Sequence, residues 1–133
     1  MIFIDTGAFI ARYVERDQYH AAALPFWEEL VESGVRCLTS NLVSCETLTL
    51  LARRTTYDFS ARKGMELYSS KVLEILRPNK SDEVDALSWF HRLADQSVSF
   101  TDCTSIALMK REQIREVFAF DRHFRHAGLK VRP

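Results

Sequence analysis

Hydrophobic positions change period several times along the chain. Ile2, Phe3 and Ile4 form an unbroken apolar run. Such a run, rich in β-branched residues, predicts a short strand buried on both faces. Asp5 follows at once, and Thr6 to Tyr13 then reads as a short helix. Asp17 is placed to cap a longer helix reaching Ser33, with Ala21, Leu24, Trp27, Leu30 and Val31 at helical spacing. Pro25 falls inside that pattern and predicts a kink or a restart, because proline lacks the amide hydrogen and crowds the preceding turn. Gly34 is the expected stop.

A second strand is expected over Val35–Thr39, then a helix from Ser40 or Asn41 to Arg53 or Arg54. A further helix is expected over Phe59–Ser70, with Ala61, Met65 and Tyr68 inward. Val72–Leu76 reads as a third strand, ended by Pro78-Asn79. Ser81 is the expected cap of a helix to Asp95 carrying Val84, Leu87, Phe90 and Ala94. Another helix is expected from Thr101 or Asp102 to Gln113, then a strand Val117–Phe120 and a weak one at Leu129–Val131. Short apolar strands alternating with helices imply an α/β fold, a parallel sheet covered on both faces. The length of 133 residues suits one domain, 1–133, with a core of its own.

Composition narrows the function only a little. The formal net charge is zero, so no overall field favours a polyanion. Basic residues nevertheless gather near the end: Lys110, Arg111, Arg115, Arg122, Arg125, Lys130 and Arg132 face only Glu112, Glu116 and Asp121. Such a face can meet phosphate or remain a solvated surface. Cys37, Cys45 and Cys103 are odd in number, form no C-x-x-C pair and sit in apolar contexts, which predicts buried, reduced thiols. No run is long enough to span a bilayer, and Asp5 interrupts the one candidate signal segment, so a cytoplasmic location is expected.

The candidate chemistry lies in four acids. Asp5 and Asp121 each follow an apolar strand, where open parallel sheets bind their ligands. Glu46 shares a helical stripe with Leu42 and Leu50, a costly position for a carboxylate without a partner. Asp102 sits at a helix start. Each has a structural alternative: capping for Asp5 and Asp102, a turn for Asp121, an arginine ion pair for Glu46. One shared site explains all four more economically. Several carboxylates with few histidines favour hard cations, Mg²⁺ or Mn²⁺, over zinc. Such ions serve phosphoryl chemistry. His20, His91, His123 and His126 form no zinc spacing and are expected at the surface.

Four segments then resemble PIN-domain ribonucleases, in order and across the whole chain. Ile4-Asp5-Thr6-Gly7-Ala8 resembles the family's opening, and Ser44–Arg54 its second-acid helix. Ser99–Lys110 resembles the third-acid segment, and Phe118–Phe124 the fourth. The subgroup most similar is the compact toxins of type II toxin–antitoxin pairs. The resemblance implies sheet order 3-2-1-4-5, with Asp5, Glu46, Asp102 and Asp121 around Mg²⁺ or Mn²⁺. It implies that Thr6 holds a metal-bound water, and that RNA is cut to 5′-phosphate and 3′-hydroxyl ends. It also implies an antitoxin partner and a homodimer, a state to which Tyr57, Phe59, Met65 and Tyr68 add apolar surface. Lys110, Arg111, Arg122 and Arg125 are the expected RNA contacts, while Ser105 is kept out of the metal's ligands. Unlike the family's strongly basic members, this chain is neutral.

Other readings of these letters fare worse. Asp5-Thr6-Gly7 is also the triplet of aspartic proteases, but those are all-β and a helical pattern follows Gly7 here. A haloacid-dehalogenase-like phosphatase needs an acid where Gly7 stands. A PIN-like module binding RNA or protein without cleavage shares the fold, and the presence of all four acids favours the enzyme over it.

Overall fold

The computed structural model describes residues 1–133. Five short parallel strands form one sheet: β1 (Ile2–Ile4), β2 (Cys37–Ser40), β3 (Leu73–Leu76), β4 (Glu116–Phe118) and β5 (Lys130–Arg132). Their order is β3-β2-β1-β4-β5, as expected. Six helices connect and cover them: α1 (Thr6–Tyr13), α2 (His20–Ser33), α3 (Asn41–Arg54), α4 (Tyr57–Ser69), α5 (Lys80–Arg92) and α6 (Phe100–Arg111). No helix is long and apolar enough to cross a membrane.

The central strand is also the most apolar. β1 is buried throughout and lies between β2 and β4. Its register pairs Ile2, Phe3 and Ile4 with Glu116, Val117 and Phe118. The Asp5 amide continues this ladder by donating to the Phe118 carbonyl at 3.1 Å. On the other side the Thr39 hydroxyl donates to the Ile4 carbonyl at 2.8 Å. The end of β1, and with it Asp5, is thus fixed from both neighbours. Ser40 ends β2 and caps α3, accepting from the Val43 amide at 3.1 Å. With no loop between strand and helix, Glu46 stands little more than a turn above the sheet's carboxyl edge.

Several helix faces differ from expectation. α2 buries Ala23, Phe26, Trp27 and Leu30, while Ala21, Leu24 and Val31 are exposed. The two patterns share Trp27 and Leu30, so spacing alone could not choose between them. α2 runs through Pro25 without a restart; its ring is exposed, where the missing hydrogen bond strands no buried group. Asp17 does not cap α2; it accepts from the Tyr19 amide in a turn two residues long, and α2 starts only at His20. α4 turns Ser60, Gly64 and Leu67 inward instead of Ala61, Met65 and Tyr68. The reason is close packing on α3: a Cβ at Gly64 would stand 3.0 Å from Leu48 Cδ1. α5 is capped by Asn79 rather than Ser81, in a reciprocal box with Asp82. Its buried face is Asp82, Ala86 and, half-buried, Trp89, so Val84, Leu87 and Phe90 face solvent. Cys103 is buried as expected, but Cys37 is half-buried and Cys45 exposed. β4 ends at Phe118, two residues early, because β5 offers only three residues to pair with it.

Candidate functional site

Asp5, Glu46, Asp102 and Asp121 line one cleft of about 290 Å³ at the carboxyl edge of the sheet, together with Thr6, Asp17, Tyr19, Arg54 and Phe120. Asp5 and Asp121 follow the adjacent strands β1 and β4. Glu46 enters from α3 and Asp102 from the first turn of α6. Four acids separated by up to 116 positions therefore share one wall-to-wall opening.

The structural alternatives for these acids can be judged one at a time. Asp5 occupies the position before α1 but makes no capping hydrogen bond, and its Oδ1 is buried without a partner. Asp102 is not the cap of α6; Ser99 is, with its hydroxyl accepting from the Asp102 amide at 3.1 Å. Asp121 precedes a 3₁₀ segment, Arg122–Ala127, likewise without a capping bond. Glu46 pairs with no arginine; its Oε2 accepts the Thr6 hydroxyl at 2.6 Å. Leu42, Glu46 and Leu50 are all half-buried, Glu46 and Leu50 line the cleft, and the buried side of α3 is Val43, Ser44, Thr47 and Leu51.

The electrostatics follow from this placement. Asp5 is 4% exposed. Burial, then the charge of Asp102, push its carboxyl up to about 7; Glu46 adds a smaller push, and the amides of Thr6 and Gly7 oppose it. The cleft lining holds five carboxylates, counting Asp17, and one cation, Arg54. Arg54 already pairs with Asp17, Nη1 to Oδ2 at 2.6 Å.

His123 was expected at the surface and lies instead against the site. Its Nε2 is 3.0 Å from Asp102 Oδ2, an ion pair without a well-aligned hydrogen bond. Contact with Asp102 raises the imidazole pKa, and Asp121 and Asp5 add to the effect, against the opposing cost of burial. The motif Phe120-Asp121-Arg122-His123 contains it, but nothing in its spacing joins it to Asp102, 21 positions earlier. Thr6 lines the cleft, and its hydroxyl donates to Glu46, which leaves the oxygen's lone pairs free to accept from a water. Ser105 is buried, with no hydrogen-bond partner for its hydroxyl.

The carboxylates share a cleft, yet no three acidic, histidine or cysteine groups are gathered tightly enough to form a ligand cluster as they stand. Like charges without a counterion keep apart. The expected basic contacts divide. Lys110 Nζ donates to the Ala127 carbonyl at 2.7 Å, and Arg111 pairs with Asp82 and Glu112. Neither lines the cleft. Arg122 and Arg125 are exposed and in no ion pair.

The geometry so far is a parallel sheet whose carboxyl edge carries four acids in a fixed order, and the PIN domain family model matches residues 2–130. The chain belongs to the PIN-domain family. It is 34% identical, over its whole length and 99% of the relative's, to a protein of Mycobacterium tuberculosis named 23S rRNA-specific endonuclease VapC20. The crystal structure of Mycobacterium tuberculosis VapC20, described as a Sarcin-Ricin loop cleaving toxin, superposes with a TM-score of 0.86 at 32% identity, covering both chains completely. FitAcB from Neisseria gonorrhoeae has the same fold, with a TM-score of 0.72 at 16% identity over all of this chain and 97% of that one. VapBC-1 from nontypeable Haemophilus influenzae does too, at 0.67 and 17% over 99% and 97%. The resemblance read from the four segments holds over the whole length: at the level of family and activity this is a PIN-domain ribonuclease of the VapC-like toxin kind.

Proposed function

We propose that the protein is an endoribonuclease dependent on Mg²⁺ or Mn²⁺, with Asp5, Glu46, Asp102 and Asp121 holding the ion. The observation that carries this is the state of Asp5: a buried carboxylate with an unpartnered oxygen, pushed up to about 7 in a cleft of other acids. Oxygen donors short of positive charge suit a hard divalent cation. An RNA phosphate adds further negative charge at the scissile bond, which the same cation would offset.

When bound, the ion supplies charge that polarises the phosphodiester and acidifies water. The chain's own residues prepare the rest. Thr6 orients Glu46 through its hydroxyl. His123 holds Asp102 in place, its Nε2 3.0 Å from Oδ2. Asp5, buried with one oxygen unpartnered, would hold the ion directly, and the attacking water would give its proton to solvent. In the reaction a P–O bond forms to water, the P–O3′ bond breaks in line, and the products carry 5′-phosphate and 3′-hydroxyl ends.

RNA of the ribosomal class is the substrate to test first, because a relative of 34% identity is named for it. We place the protein in the cytoplasm as the toxin of a toxin–antitoxin pair. Support for a protein partner comes from an apolar groove of about 540 Å³ between α2, α4 and the start of β3, lined by Phe9, Tyr13, Trp27, Leu30, Leu67 and Leu73. Exposed Val31 and Val72 border it. Support for a homodimer comes from Tyr57, Met65 and Tyr68, all exposed on α4. The purified protein should cleave bacterial total RNA with Mg²⁺ or Mn²⁺ and lose that activity in EDTA. Cleavage that persists in EDTA and in Asp5→Asn would point to a contaminant or to another site.

A further inference from the structure

One wall of the cleft is built by residues that the four-acid reading does not use. Tyr19 lies flat on Phe120, ring centroids 4.2 Å apart and planes within 2°. Phe120 in turn meets Phe118, which packs against Phe26 and Trp27. An aromatic column thus runs from the core to the cleft and ends in a ring that is 39% exposed although one of its faces is covered. Beside it stands Arg54, the cleft's one cation.

A single carboxylate sets both groups. Asp17 accepts from the Tyr19 amide at 3.0 Å through Oδ1 and from Arg54 Nη1 at 2.6 Å through Oδ2. The Asp17 side chain is 11% exposed, so it is a fixed post rather than a surface charge. Arg16 Nη2 adds a hydrogen bond to the Arg54 carbonyl at 2.6 Å and ties the α1–α2 loop to the end of α3. Arg54 spends one donor on Asp17, and a guanidinium has five. Its side chain remains 36% exposed toward the opening.

We propose that Tyr19 and Arg54, both set by Asp17, form a nucleotide subsite in which the tyrosine ring stacks on a base next to the scissile bond and the guanidinium meets a neighbouring phosphate. Every base has a π-face, so such a platform holds single-stranded RNA without demanding one sequence. It also explains how a neutral chain with an acidic cleft holds a polyanion: stacking requires no net positive field, and the one cation meets a neighbouring phosphate. The subsite rests on the ribonuclease reading, and it makes unstacked, single-stranded RNA the substrate class.

The test uses full-length protein and an oligouridylate 10-mer carrying a central 2-aminopurine, whose fluorescence falls when it stacks. In EDTA, where no turnover occurs, the wild type should quench the probe on binding. Tyr19→Ala should abolish the quenching and weaken binding on the order of 10- to 100-fold. Tyr19→Phe keeps the ring and should bind as the wild type, which also guards against a folding defect. Arg54→Gln should flatten the salt dependence of log Kd by about 0.7, the slope of one lost phosphate on a single strand. With Mg²⁺ present, Tyr19→Ala should raise KM more than it lowers kcat. Unchanged affinity and quenching in Tyr19→Ala would overturn the subsite, even where the wild type cleaves RNA. A wild type that quenches the probe but never cleaves RNA with Mg²⁺ or Mn²⁺ would support the subsite and overturn the catalytic reading instead.

Discussion

Replacing Asp5 by asparagine separates the electrostatic account from a purely structural one. The folded-state pKa of about 7 lies above the 3.8 of an ordinary, solvated aspartate. Between those values the folded protein binds more protons than the unfolded chain, so stability falls as pH rises through the window. A shift of about three units corresponds to about 4 kcal/mol of destabilisation once pH exceeds 7. About half of that, roughly 2 kcal/mol, is lost between pH 5.5 and 8.5. Asp5 is almost fully buried, so solvent screening does not reduce the figure much. Urea unfolding of the wild type and Asp5→Asn, in EDTA at both pH values, measures it. The wild type should lose about 2 kcal/mol more than the variant across that range. Contact with Asp102 also raises the His123 imidazole pKa, so His123 stabilises at low pH and loses that contribution as pH rises. Asp5 is the smallest of the causes that raise it, so the His123 contribution nearly cancels between the two proteins and the remaining difference reports Asp5. Adding Mg²⁺ at pH 8.5 should stabilise the wild type and do little for Asp5→Asn. Equal pH dependence in the two proteins would refute the crowded, cation-seeking Asp5.

Other substitutions probe the neighbouring contacts. Glu46 pairs with no cation, so Glu46→Gln should change metal-free stability by less than about 1 kcal/mol while abolishing cleavage; a loss of the 3–5 kcal/mol typical of a broken buried ion pair would contradict the geometry. Arg111→Ala strands the buried Asp82 carboxylate and should cost about 2–3 kcal/mol in thermal or urea unfolding without changing the salt slope of RNA binding. Arg122→Ala with Arg125→Ala should leave stability within about 0.5 kcal/mol and flatten that slope; an unchanged slope would move RNA to another face.

Much of this architecture was legible in the sequence because its signals are local. Ile2–Ile4 reads as a doubly buried strand, and Asp5 must then sit at the sheet's carboxyl edge. Ser40, Gly34 and Pro78 mark element ends for reasons confined to a few residues. Helix faces were less legible where two stripes compete. On α4, Met65 offers more apolar area than Gly64, yet α3 packs so close that even a Cβ at Gly64 would press on Leu48, and Met65 is left 76% exposed. On α5, the inward Asp82 carboxylate is tolerated because the Asn79 backbone amide and Arg111 donate to it, and Arg111 is 29 residues away. The same distance problem hid His123 and Arg54. Their partners, Asp102 and Asp17, are brought to them only by the folded sheet.

The central claim, a divalent cation held by the four acids of one cleft, is tested most directly by soaking crystals in Mn²⁺ and recording anomalous scattering. An anomalous peak within direct ligand distance of at least two of Asp5, Glu46, Asp102 and Asp121, lost in Glu46→Gln, is the expected result. A cleft without such a peak, in protein that still cleaves RNA with Mn²⁺, would contradict the account.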